Sequence, residues 1–96
     1  MTEPVLEQLR LQVDQADNAL LEALAARWRA VLAIAEHKRA HALTPTAPDR
    51  EALLRERWQA RAHTLQVPQE LVDAVLDQVL STCRKEVSRQ SQTPSE

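Results

Sequence analysis

Two cations lie on the face of a predicted helix where apolar residues belong. The stretch ARWRAVLAIAEHK, residues 26–38, has helical spacing of its apolar residues. It continues an apolar stripe that already includes Leu20 and Leu24. Arg27 occupies the next position on this stripe, and Lys38 ends it. A buried cation without a partner is costly. The two side chains therefore either extend to solvent along the edge of the stripe or face an anionic ligand.

The spacing of these two cations suits a small molecule with two anionic groups. Arg27 and Lys38 are eleven residues apart, which on a helix means about 16 Å along the axis and within roughly 20° around it. Extended side chains can close much of that distance. A guanidinium offers a fork that matches a carboxylate, whereas an ammonium acts as a point charge.

Two further groups are candidates for the same site. Arg10 is seventeen residues from Arg27, or about 25 Å along the helix, so it reaches the same ligand only from an antiparallel partner chain. Taken alone, Arg10 reads as a solvated surface residue. Arg50 and Glu51 follow a proline-rich turn and open a second helix. They are either a surface arginine and a glutamate favoured by the helix dipole, or a pair that the turn folds over the cations.

The sequence predicts no metal site and no nucleophilic centre. The three histidines lack tight metal-ligand spacing and no cysteine joins them; they are His37, His41 and His63. Cys83 is the single cysteine, so it forms no intramolecular disulfide and fits a reducing compartment. Its place on an apolar stripe is typical of a small core residue. Any mechanism must then rest on binding and electrostatics.

The elements that position these residues are predicted to be three helices in an all-α fold. The chain has 96 residues, no glycine and five prolines, which favours long helices with short proline-marked connections. The first helix is expected over about residues 4–40, the second from Pro48 and the third from Pro68. We expect one domain over residues 1–90 and a polar tail over 91–96.

The first helix is too long for the rest of the chain to cover. At 1.5 Å per residue it extends roughly 50 Å, far beyond the radius of gyration of about 13 Å of a compact 100-residue domain. Its apolar stripe needs a second chain as cover. We therefore expect an oligomer.

Composition narrows the partners and the location. The net charge is −2, with 12 basic and 14 acidic residues, so a basic face for nucleic acid is not expected. No stretch has the length and apolarity of a membrane span, and MTEPVLEQLR has no signal-peptide pattern. The expected location is the cytoplasm.

The ordered set of motifs resembles the all-helical class of chorismate mutases. The resemblance covers about residues 5–90 without a gap. Its pieces are Leu-Arg at 9–10, Val-Asp-x-x-Asp at 13–17, Leu-x-x-Arg at 24–27, Lys38, and Arg-Glu at 50–51. No single piece is specific, whereas the ordered set is.

The resemblance implies an intertwined homodimeric helical bundle of three-helix chains, with two sites that rearrange chorismate to prephenate. Arg27, Lys38, Arg50 and Glu51 would line one site, and Arg10 would enter from the other subunit. Arg10 and Arg27 would bind the carboxylates, Lys38 the ether oxygen and a carboxylate, and Glu51 the ring hydroxyl. The reaction is pericyclic and needs no cofactor.

Three positions depart from the family pattern. Val87 falls where the family has Gln or Glu, a hydrogen-bond donor to the ether oxygen. Cys83 falls where Ser or Thr is usual, and Ala47 replaces a polar residue, often Asp. Val87 also continues the apolar stripe of the third helix, which is typical of core packing. Gln90, one turn further on, is a candidate substitute donor.

The site residues leave related functions open. The alternative within the enzymes is a relative that acts on isochorismate, as a pyruvate lyase, or on amino-deoxychorismate. The pyruvate lyases that resemble this fold also keep the two arginines and the lysine. The Arg50–Glu51 pair favours the mutase, because a glutamate suits a ring hydroxyl. A non-catalytic helical dimer that kept the cations and lost the donor at position 87 is the alternative outside the enzymes.

Overall fold

The computed structural model describes residues 3–44 and 48–91 and contains three helices and no strand within those ranges. The helices are α1 (Pro4–Ala40), α2 (Pro48–Leu65) and α3 (Gln69–Ser91). The predicted all-α class and the predicted bounds of the first helix are confirmed. Ala47, and the predicted tail from residue 92 onward, lie outside the described residues.

Helix starts follow the proline pattern of the sequence. Glu3 caps α1, because its carboxylate oxygens accept hydrogen bonds from the backbone N–H groups of Val5, at 3.0 Å, and Leu6, at 2.9 Å. α2 begins at Pro48 itself, where the absent N–H of proline has no intrahelical partner to lose. α3 begins one residue after Pro68, whose carbonyl accepts from the N–H of Val72 at 3.2 Å.

Two helices end in a left-handed residue, although the chain has no glycine. Ala42 has φ of 53° and Gln66 has φ of 60°. Beyond them, the N–H of Leu43 donates to the carbonyl of Lys38 at 2.8 Å, and the N–H of Val67 donates to that of Ala62 at 2.9 Å. These six-to-one hydrogen bonds close α1 and α2 in the Schellman arrangement, which usually places glycine at the left-handed position.

The chain divides into two compact units, Met1–Ala30 and Val31–Glu96. In the second unit α2 packs against α3, and Ala62, Leu76 and Leu80 are buried, Leu76 completely. Two side-chain hydrogen bonds join the same two helices: Nη2 of Arg55 donates to Oδ1 of Asp77 at 2.5 Å, and Nε2 of Gln59 donates to Oδ1 of Asp73 at 3.2 Å. The hairpin therefore has a defined antiparallel register.

The first unit is a helix with apolar side chains in solvent. Every described residue from Glu3 to Ala26 is exposed. The exposed large apolar side chains of this unit are Val5, Leu6, Leu9, Leu11, Val13, Leu20, Leu21, Leu24 and Trp28. None of the helices described is both long and apolar enough to cross a bilayer.

Glycine at either left-handed position should stabilise the fold. Ala42→Gly and Gln66→Gly should each raise the free energy of unfolding by about 0.5–1 kcal/mol, because a Cβ is disfavoured at positive φ. The control is Ala74→Gly at an exposed position within α3, which should lower stability by about 1 kcal/mol. Urea unfolding measures all three. Equal losses in all three variants would mean that residues 42 and 66 do not adopt this backbone.

Candidate functional site

Lys38 is half-buried in the last turn of α1. The turn that carries it is fixed by its own main chain, because the Lys38 carbonyl accepts the closing hydrogen bond from Leu43. A cation near a helix C-terminus also interacts favourably with the helix dipole. The end of α1 therefore provides a restrained position for an ammonium group.

Arg27 differs from its neighbours on the first unit. It is half-buried, whereas every other described residue from Glu3 to Ala30 is exposed. This burial agrees with the sequence argument that Arg27 occupies a position on the apolar stripe. Arg10 is exposed. Its predicted role depends on a second chain and stays a prediction.

Glu51 is the predicted site residue with the best-defined partner. It lies in the first turn of α2, and its Oε1 accepts a hydrogen bond from Nη1 of Arg84, at 2.5 Å. The Glu51 side chain is 25% exposed and that of Arg84 is 47% exposed. The contact joins α2 to α3 across 33 residues of sequence. Arg50, beside Glu51, is exposed, and the approach of this pair to the cations stays a prediction.

Arg84 is the residue of this cluster that the sequence interpretation missed. A signal for it was present, because Arg84 follows Leu76 and Leu80 at intervals of four residues, and Val87 comes three residues later. Leu76 and Leu80 are the buried positions of α3. Arg84 is thus an exposed cation that follows a buried stripe, whereas Arg27 is half-buried.

The donor expected at position 87 is absent, and Gln90 is engaged elsewhere. Val87 and Cys83 are both half-buried on α3. The amide Nε2 of Gln90 donates to Oε1 of Glu86 at 3.3 Å. Hydrogen bonds from Arg89, and then from Gln90, lower the pKa of Glu86, so this carboxylate remains a charged acceptor at neutral pH. Gln90 is therefore held along its own helix.

The described residues contain no group of three or more His, Cys, Asp or Glu side chains arranged to hold a metal ion. The rings of His37 and His41 stack with centroids 4.2 Å apart, and Nδ1 of His41 lies 2.9 Å from the His37 carbonyl oxygen. These two histidines therefore contact each other and the end of α1.

An apolar groove lies at the other end of the α2–α3 hairpin from Glu51 and Arg84. Its volume is about 350 Å³, and it is lined by Arg57, Trp58, Arg61, Ala62, Leu65, Val67 and Val72. None of the predicted site residues lines it. Trp58 is half-buried here.

Comparisons with known proteins identify the family to which this chain belongs. The family model for chorismate mutase type II matches residues 9–87. A T-protein from Enterobacter agglomerans is 37% identical over 75 residues, which is 78% of this chain and 20% of that protein. The chain therefore spans about a fifth of that relative's length. No solved structure matches the chain significantly. Because the family model covers most of the 96 residues, with Arg10, Arg27, Lys38, Arg50 and Glu51 all inside the match, the chain belongs to the chorismate mutase type II family.

Proposed function

We propose that the protein catalyses the rearrangement of chorismate to prephenate. The observation that carries this proposal is the match to the mutase family over residues 9–87. The half-buried state of Arg27 and Lys38 on α1 supports it, because a partly desolvated cation attracts a carboxylate more strongly than a fully solvated one does. Chorismate offers two carboxylates.

The proposed mechanism uses binding and electrostatics alone. One carbon–oxygen bond of the ether breaks while one carbon–carbon bond forms, within a single molecule, so no nucleophile or external proton takes part. Arg27, together with Arg10 of a second chain, holds the carboxylates and so fixes the compact conformer in which the reacting carbons meet. Lys38 binds the ether oxygen and stabilises the negative charge that develops there. Glu51 accepts a hydrogen bond from the ring hydroxyl.

The active form in this proposal is a homodimer. The apolar side chains on α1 from Val5 to Leu24 are exposed in the single chain, and contiguous apolar surface of this kind marks an interaction site. A second copy in antiparallel orientation would cover the stripe. It would also bring Arg10 toward the Arg27 and Lys38 of its partner.

The related reactions differ in what position 51 must do. A pyruvate lyase or an amino-deoxychorismate relative would use the same cations on its dicarboxylate substrate. A half-buried glutamate already held by a guanidinium suits the hydrogen bond to the ring hydroxyl of chorismate. A dimer that binds without catalysis would show no consumption of chorismate.

Arg27 and Lys38 should matter for turnover and not for folding. The purified protein should consume chorismate, followed by the decay of its ultraviolet absorbance. Arg27→Ala and Lys38→Ala should each lower kcat/KM by about a hundredfold or more, while stability stays equal or rises, because a desolvation penalty disappears. Arg29→Ala, at an exposed position of the same helix, should leave both quantities nearly unchanged. A variant that unfolds but keeps kcat/KM per folded molecule would make that cation structural.

The dimer should depend on one face of α1. Leu20 and Leu11 are 54% and 55% exposed in the single chain, but only Leu20 lies on the stripe, and Leu11 points to the opposite side of the helix. Leu20→Glu should therefore dissociate or unfold the dimer, and Leu11→Glu should not. Light scattering should give twice the chain mass of 10.9 kDa for the unmodified protein. A folded species of single-chain mass at micromolar concentration would contradict the shared site.

Restoring a donor at position 87 should raise the rate. Val87→Gln should increase kcat/KM on chorismate by about ten- to a hundredfold, or about 1.4–2.7 kcal/mol of transition-state stabilisation. A modest loss of stability should accompany it, since an amide replaces an apolar group. Val79→Gln, at another half-buried valine of α3, controls for that loss and should bring no gain. An unchanged or lower kcat/KM in well-folded Val87→Gln would show that position 87 does not face the ether oxygen.

A further inference from the structure

We propose that Arg84 is a positioning residue for the reaction, one that holds the Glu51 carboxylate where the ring hydroxyl of the substrate must meet it. This inference rests on the proposed function. Arg84 lies on α3 and Glu51 on α2, and a hydrogen bond of 2.5 Å between Arg84 Nη1 and Glu51 Oε1 joins them.

The geometry leaves half of the carboxylate available. Oε1 of Glu51 is taken by Arg84, while Oε2 forms no hydrogen bond with any side chain or backbone group in residues 3–44 and 48–90. A carboxylate has acceptor positions on both oxygens. One oxygen can therefore be anchored by the guanidinium while the other accepts from a hydroxyl.

Anchoring matters because a glutamate side chain is flexible. Glu51 has three rotatable side-chain bonds, and fixing them only when substrate binds would reduce the affinity by the lost rotamer freedom. Arg84 fixes one orientation beforehand. The Arg84 guanidinium is the more exposed partner and the Glu51 carboxylate the more buried one, 47% against 25%. The arginine thus reaches inward from the surface to restrain a group nearer the interior.

A second ion pair shows what a purely structural contact between these helices looks like. Arg55 on α2 binds Asp77 on α3 at the same distance of 2.5 Å, one turn further along α2 than Glu51. It joins the same two helices with the same donor type and involves none of the proposed site residues. Arg55 also lies 4.0 Å from the Asp73 carboxylate of α3, so Arg55→Ala is a control that removes at least as much interhelical ion pairing as Arg84→Ala does.

The test compares Arg84→Ala, Arg55→Ala, Glu51→Ala and the double variant Arg84→Ala/Glu51→Ala. Steady-state kinetics on chorismate and urea unfolding are measured for each. Arg84→Ala should lower kcat/KM by about tenfold or more, the size expected when a binding group loses its orientation. In the Glu51→Ala background, Arg84→Ala should have no further effect, because its only role is to hold Glu51. Arg55→Ala should lose similar stability and keep kcat/KM.

A conservative substitution separates position from charge and guards against a poorly folded alanine variant. Arg84→Lys keeps the positive charge but carries it on a single nitrogen instead of a planar guanidinium. It should therefore recover part of the kcat/KM lost in Arg84→Ala. Equal kcat/KM in Arg84→Ala and Arg55→Ala would overturn the inference. A further loss on adding Arg84→Ala to Glu51→Ala would also overturn it, because Arg84 would then act on the substrate directly. If the unmodified protein does not consume chorismate, the proposed function itself fails, and that result is seen before any variant is compared.

Discussion

The cost of placing cations on an apolar helical stripe is the constraint on which the rest of this protein depends. α1 is a single helix of 37 residues, and its stripe includes Arg27 and ends at Lys38. If these two positions served packing alone, leucine or alanine would be the favoured residues at both. Desolvation of a cation is unfavourable by several kcal/mol, so each charge keeps a polar or anionic group or water beside it. In the proposed function the carboxylates of the substrate bind at these two cations.

The α2–α3 hairpin carries Glu51 and fixes the location of its carboxylate. Three polar contacts follow one another along the pair: Glu51 with Arg84, Arg55 with Asp77, and Gln59 with Asp73. Exposed pairs of this kind contribute little stability individually, and the buried Leu76 and Leu80 contribute more. The polar series instead specifies the register of the two helices. That register decides that Glu51, and not another acidic residue of α2, meets the end of α3.

Position 87 shows how packing and chemistry compete for one place on α3. Val87 extends a stripe that begins with fully buried Leu76, and an apolar side chain there favours folding. A donor at the same place would favour charge stabilisation in the proposed reaction. The nearby amide of Gln90 does not resolve this competition, because the charged carboxylate of Glu86 holds it. Stabilisation of the ether oxygen would then depend mainly on Lys38.

The sequence by itself determined the three helices, because helix formation follows local rules. Prolines and the 3.6-residue spacing of apolar side chains predicted the bounds of α1 and the start of α2. The position of Arg27 and Lys38 on the apolar stripe made them candidate site residues. The left-handed ends at Ala42 and Gln66 were not foreseen, since neither residue type prefers positive φ and only the closing hydrogen bonds require it. Nor was the Glu51–Arg84 contact, which spans 33 residues. Such a pair depends on the register and rotation of two packed helices, and these are set by the fit of side chains such as Leu76 and Leu80 between them, which sequence spacing does not specify.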